Sequence, residues 1–95
     1  MKLLIWKILI FLFLMKMSKY IKRKGLIELH YGWDDSKKEY YYYVYDLSRK
    51  NINDGLVDFA GSKSTMMPPI VLAEKLKKFD APTEHIQKIL YMRKI

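Results

Sequence analysis

The sequence has no cysteine, four glycines, three prolines and two histidines in 95 residues. Without cysteine there is no disulfide framework and no thiolate metal site. His30 and His85 lie far apart in sequence and leave little for a metal motif or a catalytic triad. Scarce glycine and proline exclude a fibre, and the apolar and aromatic content excludes a disordered tail. Acid is missing from one region. Residues 1–24 hold seven of the 18 bases and none of the 10 acids, so the rest of the chain is nearly neutral. A duplex-binding domain carries its basic excess on the folded surface. Nucleic acid therefore ranks below another protein as the expected partner.

What is present is hydrophobic (51%) and aromatic (15%), enough for one small domain. Two regions are expected: an apolar, basic segment over 1–24 and a domain over 25–95. Fourteen of the first 17 residues are apolar, but the longest unbroken apolar run is the eight residues Ile8–Met15. As a helix, Leu3–Met17 would reach about 22 Å, against a hydrocarbon core of about 30 Å. A full span is thus doubtful, and Lys16-Met17-Ser18 does not resemble a signal-peptidase site.

The expectation is an apolar helical segment on a membrane, with Lys19, Lys22, Arg23 and Lys24 against anionic lipid and the domain on the cytoplasmic side. The alternative is a mis-assigned start, in which translation begins at Met17 and yields a cytoplasmic protein.

From Gly25 the pattern changes. Ile27, Leu29, Tyr31 and Trp33 alternate with polar residues, and Glu39–Leu47 contains the run Tyr40-Tyr41-Tyr42-Tyr43-Val44-Tyr45. These read as a β-hairpin around the five-residue loop Asp34–Lys38, with Tyr31 opposite Tyr41, Leu29 opposite Tyr43 and Ile27 opposite Tyr45. Asp54-Gly55 is a turn, and Leu56–Ala60 is a candidate third strand. Pro68-Pro69 opens a helix with Leu72, Ala73, Leu76 and Phe79 on one stripe. Asp80-Ala81-Pro82 ends it, and Asp80 is a candidate cap for a second helix with Ile86, Ile89 and Leu90. The fold class is α+β: a hairpin, with a third strand in reserve, covered by two C-terminal helices. Ile27, Leu29, Trp33, Leu72, Leu76, Phe79, Ile86 and Leu90 are the expected core.

The candidate interaction surface is Tyr40, Tyr42, His30, Glu28, Asp34 and Asp35, with His30, Glu28 and Tyr42 on one solvent face and the aspartates at the hairpin tip. The Tyr run could also stack bases of single-stranded nucleic acid, but no base interleaves it. His30 beside carboxylates has no nucleophile to serve, and His85 reads as a surface residue. Gly61-Ser62-Lys63-Ser64-Thr65 lacks the spacing of a phosphate loop. No catalytic constellation, metal site or cofactor is expected. The function expected is non-enzymatic protein interaction, with a soluble accessory or inhibitor protein starting at Met17 as the alternative.

Overall fold

The computed structural model describes residues 17–49 and 54–95. Four strands run in chain order across one antiparallel sheet: β1 (Met17–Lys24), β2 (Ile27–Asp34), β3 (Glu39–Asp46) and β4 (Leu56–Gly61). Two helices follow, α1 (Pro69–Lys78) and α2 (Thr83–Leu90). The α+β class and both helices match the sequence reading. The sheet is larger than a hairpin: the candidate third strand is present as β4, and β1 adds a fourth on the other side.

The first added strand takes up the basic end of the expected N-terminal segment 1–24, from the end of the stretch Leu3–Met17 read as a helix. Residues 17–24 form β1, paired with β2 from Met17 opposite Asp34 to Lys24 opposite Ile27. Gly25, with φ 63°, takes the first position of the two-residue turn, a conformation glycine adopts without a steric penalty. Residues 1–16 of the expected helix lie outside the described residues. Among the described residues, no helix is long and apolar enough to cross a membrane.

The β2–β3 hairpin forms where expected but with a different register. Tyr31 is opposite Tyr42, Leu29 opposite Val44 and Ile27 opposite Asp46. The cause is Asp34, which is not a loop residue. It pairs with Glu39, and its carboxylate accepts hydrogen bonds from the Ser36 and Lys37 amides at 3.0 and 3.2 Å. That side-chain turn shortens the loop to Asp35–Lys38. One residue of slip flips every side chain of β3 to the other face.

The face carrying Leu29, Tyr31, Tyr40, Tyr42 and Val44 is therefore the one under the helices. There it meets Leu72, Ala73 and Leu76 of α1 and Ile89 of α2. Met67, Ala81 and Ile95 complete the buried cluster. Ile27, Trp33, Phe79 and Ile86 are only partly buried against it. Leu90, expected in the core, is 51% exposed. It follows Ile89 by one helical step of about 100°, so the fully buried Ile89 turns Leu90 outward.

Asp80 does not cap α2, whose N-cap is Pro82. It sits instead just past α1 at φ 54°, where the Asp80 and Ala81 amides donate back to the Lys77 and Leu76 carbonyls. Met92 closes α2 in the same way, at φ 59°, through the Met92 and Arg93 amides to Ile89 and Lys88. Both helices thus end in a left-handed turn that satisfies their last carbonyls.

Candidate interaction surfaces

The register decides where each candidate residue goes. Tyr40 and Tyr42 are 2% and 5% exposed and belong to the core, not to the solvent face that holds Glu28 and His30. The Tyr40 hydroxyl donates to the Arg93 carbonyl. The Tyr42 hydroxyl donates to Asp58 Oδ2 at 2.8 Å, and Lys75 Nζ lies 3.3 Å from the same oxygen and 4.9 Å from the Tyr42 ring centroid. Burial opposes ionisation of Asp58. The Tyr42 hydroxyl and Lys75 outweigh it, so the carboxyl pKa is lowered. Burial, with Asp58 adding to it, pushes the Tyr42 phenol up to about 12.

Glu28 and His30 do share a face. His30 Nε2 contacts Glu28 Oε1, and the His30 ring lies edge-on to Tyr45 at 4.8 Å. The same outer face carries Tyr41, Tyr43 and Tyr45 of β3, Ile21 of β1 and Phe59 of β4. Tyr43 stacks on Phe59 at 6.3 Å and tilts against Tyr41 at 5.6 Å.

Asp34 is buried in its turn, where burial opposes ionisation and the Ser36 and Lys37 hydrogen bonds prevail, lowering its pKa. Asp35 alone stands exposed at the tip. It accepts hydrogen bonds from Lys38, Lys94 and the Trp33 indole, which hold its pKa down to about 2. The six candidates therefore do not form one surface. Two are core, two line the outer face, one builds a turn and one is a surface ion-pair centre.

The four bases proposed for lipid contact all lie on β1, but alternate along it. Lys19 and Arg23 share the outer face with His30, and Lys22 and Lys24 point to the helix side. Lys24 Nζ donates to the Lys78 carbonyl at 3.1 Å, and Arg23 Nε to the Gly25 carbonyl at 2.9 Å. Each face thus receives two charges, and the helix-side pair is partly used in ending α1.

His85 is a correction: it is half-buried. Its Nδ1 lies 2.7 Å from the Tyr31 hydroxyl, and its ring centroid is 4.3 Å from that of Tyr20. Burial lowers its pKa, with Glu84 opposing and Lys88 and Lys22 adding. The Gly61–Thr65 loop spends its polar groups internally. Ser62 bonds the Tyr40 backbone, Ser64 bonds Glu39, and Thr65 bonds Gly61. A Cβ on Gly61 would collide with the Glu39 carboxylate and Ser64 Oγ. Among the described residues, no three His, Asp or Glu side chains gather where they could hold a metal.

Sequence reasoning missed the outer edge of β4. Leu56, Val57 and Phe59 are 39%, 43% and 58% exposed on a strand that contains no base and no proline. A bulge between Val44 and Tyr45 sets Leu56 opposite Tyr45 and turns Val57 out of the ladder. The signal was available in Leu56-Val57-Asp58-Phe59, which has the apolar content of a strand without the charges that usually protect an edge. No protein-family model matches the chain, and neither a curated protein nor a solved structure matches it.

Proposed function

We propose that this chain is a small non-enzymatic protein-interaction module that takes an extended segment of a partner protein along the β4 edge. The observation that carries this reading is the apolar, base-free edge strand. Leu56, Val57 and Phe59 are exposed on it, and among the described elements β4 pairs with β3 alone. A terminal strand presents a row of backbone donors and acceptors, and adding a strand satisfies them while flanking apolar side chains select the partner.

The test is native affinity capture with the tagged full chain, comparing wild type with Leu56→Lys and Val57→Lys. Both residues are exposed, so the fold should persist in circular dichroism. A partner captured by wild type and lost with both variants supports the reading. Equal capture by all three, or none by wild type, removes it.

The basic edge favours a second reading, association with an anionic membrane. Lys19, Lys22, Arg23 and Lys24 lie within nine residues of the end of the apolar run 8–15. Co-sedimentation of the full chain with anionic vesicles tests it. Replacing the four bases with Gln should reduce that binding and spare any binding to neutral vesicles.

A further inference from the structure

A hollow of about 260 Å³ opens on the outer face beside β4. Tyr43 and Phe59, stacked at 6.3 Å, form its apolar wall. Much of the remaining lining is polar, with Asp34, Glu39, Lys37, Ser64 and Thr65. Two carboxylates thus share the hollow with one ammonium group. Asp34 and Glu39 are 8% and 4% exposed, yet among the described residues neither forms an ion pair. Asp34 accepts three hydrogen bonds from Ser36 and Lys37. Glu39 is less well served. The Ser64 hydroxyl and amide both donate to its Oε1, at 2.7 and 3.4 Å, and Oε2 has no partner among the described residues. Buried carboxylates are ordinarily paired, because an uncompensated charge out of water is costly.

The ladder shows what can bring the missing cation. The Ser62 amide donates to the Tyr40 carbonyl at 2.8 Å, which sets the phase of the β3–β4 pairing. Ala60 and Asp58 turn their backbone groups toward β3, and Phe59 and Gly61 turn theirs to the open side. Gly61 is already satisfied there. Its amide donates to Thr65 Oγ1 at 3.0 Å, and its carbonyl accepts from the Thr65 and Met67 amides. A strand added to β4 therefore ends its pairing at Phe59.

In an antiparallel added strand, the residue opposite Phe59 has position 61 as its diagonal neighbour, about 7–8 Å away. Gly61 has no side chain, and the Glu39 carboxylate occupies the place where its Cβ would be. The incoming residue thus meets an aromatic ring beside it and a carboxylate diagonally beyond. We infer that a segment docked on β4 sets arginine or lysine opposite Phe59, with its cationic head in the hollow against Glu39 and Asp34. The stem of such a side chain lies along the Phe59 ring, where a cation is also attracted to the π face. This inference rests on the β4 docking proposed above and supplies the chemistry of the docked segment.

Two blocked pentapeptides serve as probes, each with four threonines around a central arginine or its uncharged isostere citrulline. They are titrated into the full chain, and amide and ring resonances are followed. The arginine peptide should bind about fivefold more tightly than the citrulline peptide. It should shift the amides of residues 56–59 together with the Tyr43 and Phe59 rings. Glu39→Gln keeps an acceptor for Ser64 and should remove the preference, whereas Lys37→Gln should increase it. Equal binding of the two peptides, or a preference that survives Glu39→Gln, would overturn the inference and leave β4 docking intact. Shifts confined to the hollow, with the edge amides unmoved, would overturn it and count against docking as well. No shift with either peptide would also overturn it, and partner capture would still decide the docking reading.

Discussion

At one margin of the sheet β1 carries Lys19, Lys22, Arg23 and Lys24; at the other, β4 carries Leu56, Val57 and Phe59. Among the described elements, both are terminal strands, each paired on one side. Lysine on an edge makes a second strand costly to dock, because the ammonium groups would have to leave water. β4 has a bulge at Val57 and one carboxylate, Asp58, already engaged by Tyr42 and Lys75. Solvent contact alone would favour the β1 solution on both sides. The asymmetry is what the proposed reading rests on: on that reading β4 is the margin that takes a partner, and the bases of β1 keep a second strand away.

The margins share a core, and the largest effect should erase the difference between them. Leu76 is fully buried beneath the sheet. Leu76→Ala should cost about 2–5 kcal/mol, read by urea denaturation, and should raise hydrogen exchange in β1 and β4 alike. Exchange confined to one margin would show that the two halves are stabilised separately.

Gly61→Ala should act on one margin first. The added methyl group meets Glu39 and Ser64, at a loop that joins β4 to α1. A loss of about 1–3 kcal/mol is expected, with amides of β4 and the 61–65 loop exchanging before those of β1. Unchanged stability would mean that Glu39 moves aside freely.

Acid should separate the margins by pH. The β1 side is tied to α2 through Tyr20, Tyr31 and His85. The folded state lowers the His85 pKa, so the unfolded chain binds more protons as pH falls from about 6.5. This contribution is complete above the unfolded value and is lost on descending through the lowered folded one. Asp58, also lowered, holds the β4 side to α1; its contribution is complete above the ordinary carboxylate value of 3.8 and disappears at lower pH. Amides near Tyr20 and Tyr31 should therefore loosen before those near Asp58. His85→Gln should flatten the first step and leave the second. A single step common to both regions, unchanged in that variant, would contradict the assignment.

The smallest effect tests the edge directly. Val57→Lys gives β4 the protection that β1 has. Thermal stability should change by about 0.5 kcal/mol or less, as for other exposed positions, while self-association measured by light scattering at high concentration should fall.

The helices and the β2–β3 hairpin were legible because proline, glycine and the Leu72-Leu76 spacing mark them locally. The register was not. Tyr40–Tyr45 places rings on both faces, so the two-residue period that tells core from solvent carries no contrast there. Asp34, which reads as loop, sets the pairing through its side chain. β1 was hidden for a related reason: after Met17 its apolar residues Tyr20 and Ile21 are adjacent and fall on opposite faces, with bases at most other positions. The candidate site inherited the register error. Tyr40 and Tyr42 moved into the core with it, while Glu28 and His30, on the strand whose alternation is clear, were placed correctly together. His85 was missed because nothing local to its helix announces Tyr31, 54 residues away.

The hydrogen bond from the Tyr40 hydroxyl to the Arg93 carbonyl joins the sheet to the turn after α2, 53 residues later. Tyr40 is almost fully buried, and the left-handed Met92 aims that carbonyl's segment back toward it. Undocking the helical layer would strip Tyr40 of this acceptor and expose the apolar side of the sheet in the same event. Sheet and helices should consequently melt as one thermodynamic unit, with calorimetric and van't Hoff enthalpies in agreement.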